Sequence, residues 1–141
     1  MFLTLFLLLA AAPAPASFDQ VKAEPNPARR ARAAVDFAAI AERNAEAAFS
    51  NGDMKQVAVA LRIMKECMEM TRESLVASRK TPGRDPELYK YAELRSRELL
   101  IRLGDFERRM AVEDRELVAV PKARVEEIHD FWFDAIMGRK R

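Results

Sequence analysis

One spacing constrains this chain more than any other feature. Met54, Val57, Leu61, Met64, Met68, Thr71 and Leu75 recur at alternating intervals of three and four residues. That puts them on a single helical seam repeating every ~3.5 residues. The other side carries Lys55, Arg62, Glu66, Glu69 and Arg72. A helix so divided must bury its seam against a neighbour. The segment before it offers a partner. Ala34, Ala38, Ala41, Ala45 and Ala48 repeat at four and three, flanked by Phe37, Ile40 and Phe49. A row of alanines lets backbones approach, and unbranched methionines fill irregular gaps. Between the two segments stands Asn51-Gly52-Asp53, a left-handed stop followed by a capping residue. The spacing predicts an antiparallel helical hairpin.

Breakers divide the rest. Pro25-Asn26-Pro27 ends a lead-in over residues 17–26, expected to be extended, and opens the first long helix. Thr81-Pro82-Gly83-Arg84-Asp85-Pro86 cannot continue a helix, but its last two residues can start one. The third helix has its apolar stripe at Leu88, Ala92, Leu99, Leu103, Phe106 and Met110, with either Arg95 or Ser96 where an apolar residue is expected. Glu93–Arg97, Glu98–Arg102 and Asp105–Arg109 are spaced as i,i+4 pairs on its polar face. Gly104, unfavourable inside a helix, suggests a close helix contact. Val112 to Leu117 has the look of a short helical start, and Pro121 is expected to begin a fresh helix rather than kink one. That last helix carries Val125, Ile128, Trp132, Ala135 and Ile136 inward and stops at Gly138. No alternating strand pattern competes. The expected fold is all-α: an up-and-down antiparallel four-helix bundle or two stacked helical hairpins over residues 27–138, with a basic tail at 139–141.

Residues 1–16 read as an address. Phe2 to Ala12 is an uncharged apolar run, and Ala14-Pro15-Ala16 has the small-x-small form that signal peptidase cleaves after. The run is shorter than the ~20 apolar residues of a membrane-spanning helix. No Lys or Arg precedes it, so the α-amino group of Met1 supplies the only positive charge there. The expectation is an exported chain, periplasmic or extracellular, with no stable membrane span after processing.

Two resemblances attach to particular residues. Ala47-Ala48-Phe49-Ser50-Asn51-Gly52-Asp53-Met54-Lys55-Gln56-Val57 resembles the turn between the helices of a tetratricopeptide repeat, although no second copy follows at that family's period. The second half is similar to a group of small exported helical bacterial proteins of acidobacteria type without assigned activity. That likeness rests on Tyr91-Ala92-Glu93-Leu94 with Arg97-Glu98-Leu99-Leu100, Glu113-Asp114-Arg115, and Ile128-His129-Asp130 with Ile136-Met137-Gly138. It implies export and a helical fold, and transfers no site residue.

The chemistry-bearing residues are few. One His and one Cys exclude a zinc finger within one chain, and a single Cys excludes an intrachain disulfide. There is no G-x-S-x-G, no H-E-x-x-H and no phosphate-cradling glycine loop. A net charge of +2 gives no nucleic-acid footprint. Met64, Cys67 and Met68 share a helix face, and soft sulfur ligands select Cu(I). The seam, however, needs apolar filler at two of those positions, and packing is the favoured reading. Glu126 and His129 form one E-x-x-H pair, where a di-iron bundle needs two. Phe131-Trp132-Phe133 is a consecutive aromatic run that cannot face one core, so part of it should reach the surface as a protein interface. The function expected is a non-catalytic exported module that needs no cofactor and binds a protein partner or itself. A copper-binding protein is the alternative. A periplasmic chaperone ranks third, because the L-T-x-x-Q motif of the stress chaperones is absent.

Overall fold

The computed structural model describes residues 17–138. The signal-peptide reading of 1–16 and the basic tail at 139–141 lie outside the described residues. Among the described residues there are no strands. Four long helices dominate: α2 (Pro27–Ser50), α3 (Met54–Ala77), α4 (Pro86–Arg109) and α5 (Glu116–Met137), preceded by a short α1 (Phe18–Ala23). A 3-10 turn at Val112–Asp114 leads into α5. The 24 residues of each of α2, α3 and α4 give rods about 36 Å long.

The helix ends follow local chemistry. Asn26 accepts a hydrogen bond from the Arg29 amide at 3.1 Å, and Pro27 occupies the first turn of α2. At the other end the Asp53 amide donates to the Ala48 carbonyl and the Gly52 amide to Phe49. Gly52 has φ +71°, and the pattern is a Schellman stop. Asp53 then caps α3 by accepting from the Gln56 amide at 3.1 Å. Gly138, at φ +70°, ends α5 in the same left-handed way.

Periodicity set the buried faces. Ala34, Ala38, Ala41 and Ala45 are buried on α2, facing Val57, Leu61, Met64, Met68, Thr71 and Leu75 on α3. Thr71 satisfies its buried hydroxyl by donating to the Cys67 carbonyl at 2.8 Å. Of the two candidates on α4, Ser96 takes the inward position and donates to the Ala92 carbonyl at 2.7 Å. Arg95 sits at the edge, paired with Asp36 at 3.3 Å.

The arrangement is two stacked hairpins, α2–α3 and α4–α5, with α2 beside α4 and α3 beside α5. Cross-helix contacts fix the directions. From α2 to α4 they run Asp36 to Arg95, Glu42 to Arg102 and Glu46 to Arg109, so those helices are parallel. From α3 to α5 they run Glu69 to Arg124 and Arg72 to Phe131, again parallel. Within the second hairpin Glu107 meets Lys122 and Glu93 meets His129, which is antiparallel. The connection from α3 to α4 therefore crosses the end of the bundle where both α2 and α4 begin.

Four sequence expectations need correction. Residues 17–26 are not wholly extended. Ser17 caps α1, whose Val21 is buried and whose Phe18 stacks on Phe37 at 6.3 Å. Pro121 does not start a helix but lies inside α5. Val118, Pro121, Val125, Ile128 and Trp132 form one buried stripe at intervals of three and four. The bond lost at Pro121 would serve the carbonyl of Leu117, an exposed residue. Gly104 marks no close approach, since an added Cβ would meet only the Arg108 guanidinium at 3.9 Å. Finally, of the three i,i+4 pairs on α4, Glu93–Arg97 forms at 2.9 Å, but Arg102 and Arg109 turn to α2. Glu98 and Asp105 pair instead with Arg95 and Arg108.

Candidate functional site

Successive residues on a helix are ~100° apart. Trp132 lies on the inward stripe of α5, so Phe131 and Phe133 flank it on opposite sides. Trp132 is fully buried and takes no part in any surface. Phe131 is half-buried beneath the Arg72 guanidinium, 4.4 Å from the ring centroid. Phe133 is 37% exposed and stacks on the His129 ring at 6.1 Å. Met137, one turn further, is 56% exposed. Of the three aromatic residues, then, only Phe133 is exposed, and Met137 adds to the apolar surface of the same outer flank of α5. The signal for Met137 was present: it stands four residues beyond Phe133.

The sulfur cluster lies in the core. Met64, Cys67 and Met68 are all 0% exposed. Burial pushes the Cys67 thiol up to about 12, with Glu66 adding to it and Lys22 opposing. Metal binding by cysteine requires the thiolate, which this environment disfavours. His129 does not pair with Glu126. Its Nε2 lies 3.1 Å from Glu93 of α4, tying the second hairpin together.

The structure also assembles polar groups that sequence reasoning missed. Glu42 of α2 is wholly buried. Its Oε2 accepts from Arg102 Nε at 2.8 Å, while its Oε1 has no hydrogen-bond partner. Arg102 also donates to Glu46 at 3.1 Å, and Arg109 donates to the other Glu46 oxygen at 2.9 Å. Burial is the main cause that raises the Glu42 carboxyl to about 7; the neighbouring Glu46 adds to this and Arg102 opposes it. Nothing in the i,i+4 spacing of Glu42 and Glu46 signalled burial, because acids one turn apart usually share a solvated face.

A shallow apolar groove runs beside the start of α5, lined by Ala58 and Leu61 of α3 with Leu117, Val120 and Pro121 of α5. Val120 is 67% exposed there. Among the described residues no group of three or more His, Cys, Asp or Glu side chains could hold a metal ion. No helix among them is long and apolar enough to cross a membrane. No protein-family model, curated protein or solved structure matches the chain.

Proposed function

We propose that this chain is an exported, non-catalytic helical module that binds protein through the outer flank of α5, a second copy of itself being the first candidate partner. One observation carries the reading. The residue types able to do chemistry are absorbed by packing and ion pairing, while Phe133 and Met137 stand partly exposed one turn apart on one flank of α5. An aromatic and a methionine one turn apart suit a helix-against-helix contact, where such residue types are enriched. Export is supported by the apolar run and the Ala14-Pro15-Ala16 site, and by the resemblance of the second half to small exported helical proteins. The copper reading is weaker, because Cu(I) would have to reach a dry seam and displace a proton from a thiol held near 12.

Light scattering after size-exclusion chromatography tests the interface over a hundredfold concentration range. The wild type is expected to self-associate, and Phe133→Glu with Met137→Glu to leave a monomer of unchanged helicity. A wild type that stays monomeric throughout removes self-association. Mass spectrometry of the chain recovered from its source cells tests export. A species beginning at Ser17 in the envelope or medium is expected, and an unprocessed chain in the cytosol refutes it.

A further inference from the structure

The end of the bundle where α2 and α4 begin is electrostatically unbalanced. Its groove, about 430 Å³, takes Arg29 and Arg32 from α2 and Lys80 and Arg84 from the crossing connection. Only two carboxylates, Asp85 and Glu87, line it against these four cations. Elsewhere, ion pairs across or along helices hold Glu46, Glu69, Glu93 and Glu107. Among the described residues none of the four groove cations forms an ion pair; Arg32 rests on the Tyr91 ring at 4.1 Å.

Because α2 and α4 are parallel neighbours, both begin here, beside the ends of α3 and α5, so the helix dipoles largely offset one another and the imbalance rests on the side chains. Asp85 stands at the cap position of α4 yet makes no side-chain hydrogen bond to its first turn. The connection is held in place rather than free to neutralise the groove. The Tyr89 hydroxyl donates to the Lys80 carbonyl at 2.9 Å, and the Asp85 amide to the Thr81 carbonyl at 2.8 Å. Ala28, Pro86 and Leu88 give the groove an apolar floor.

We infer that this groove binds a phosphoryl group, taking a small phosphorylated molecule or an anionic lipid headgroup through Arg29, Arg32, Lys80 and Arg84. Guanidinium forks match phosphate oxygens in pairs. The volume falls within the ~300–1,000 Å³ of small-molecule sites. The four cations are gathered around one groove, which suits a compact, densely charged group rather than a long polyanion. The groove shares no residue with the outer flank of α5, and the inference does not depend on the protein-binding reading.

Titration of the isotope-labelled protein with inorganic phosphate and with pyrophosphate at low salt, followed by amide shifts, tests it directly. The expected shifts lie at Arg29, Arg32 and residues 80–88, with saturation below 1 mM pyrophosphate, a threshold on the order of weak small-ligand binding. Arg29→Ala with Arg84→Ala should weaken binding at least tenfold, an order-of-magnitude expectation for lost charge-assisted bonds. Arg43→Ala with Lys55→Ala, which removes the same charge elsewhere, should leave it unchanged. Sedimentation with phosphatidylglycerol vesicles, against phosphatidylcholine ones, separates the sources. Vesicle binding lost in the Arg29/Arg84 variant but without pyrophosphate shifts assigns the headgroup. Shifts without vesicle binding assign a free phosphorylated molecule. Neither response, shifts spread over the whole surface, or equal losses in both double variants overturns the inference.

Discussion

Replacing Glu42 by Gln tests the least expected feature of the core. The folded chain keeps a proton on Glu42 up to about pH 7, whereas a free glutamate releases it near 4.5. Between those values the folded state binds more protons than the unfolded state, so stability falls as pH rises. The contribution is fully present below pH 4.5 and lost by about 7. At ~1.4 kcal/mol per pH unit the gap amounts to about 3 kcal/mol. The cause is geometric. Glu42 is wholly buried and one turn from the charged Glu46, and the single guanidinium reaching it is 41% exposed and shared between the two acids. Glutamine keeps the acceptor for Arg102 and has nothing to ionise. Urea unfolding of both proteins at pH 4.5, 6 and 7.5 should show the variant gaining about 3 kcal/mol on the wild type across that range, an order-of-magnitude figure. A difference that stays flat, or one that moves in the wild type's favour as pH rises, would refute the reasoning. It would mean that Arg102 holds the carboxylate charged.

Other substitutions separate structural roles. Gly104→Ala meets only a movable guanidinium end and removes backbone freedom from a helix interior; it should stabilise by about 0.5–1 kcal/mol in the same unfolding assay. Trp132→Ala empties the largest fully buried side-chain site and should cost about 3–5 kcal/mol, whereas Phe133→Glu should change stability by no more than about 0.5 kcal/mol. Comparable losses for the two would contradict their opposite placement on α5. Cys67, buried with its thiol held near 12, should resist Ellman's reagent at pH 8 in the folded protein and react at once in guanidinium. Rapid reaction of the native thiol would show that the α2–α3 seam opens.

The helices and their inward faces were legible because the signals are local. The 3.5-residue seam of α3, the alanine row of α2 and the Asn51-Gly52-Asp53 turn each act within one or two turns of chain. Pro121 was misread because a proline is a strong local breaker. The heptad stripe from Val118 to Trp132 overrode it by burying the ring and leaving the orphaned carbonyl on the exposed residue Leu117. The aromatic run was legible as crowding. Which ring would be buried followed from the stripe, and how far Phe131 would be covered depended on Arg72 of another helix.

By itself the sequence determined that the described chain folds as amphipathic helices, where α2 and α3 meet, and which of their sides turn inward, since backbone hydrogen bonding and side-chain period leave few options there. Only the tertiary structure decided that α2 lies parallel to α4. From that one choice follow the burial of Glu42, the turning of Arg102 and Arg109 away from their own helix, and the gathering of Arg29, Arg32, Lys80 and Arg84 at one end. The reason is reach. A long charged side chain can serve a neighbour one turn away or an acid on the adjacent helix, and spacing along the chain carries no information about which helix is adjacent.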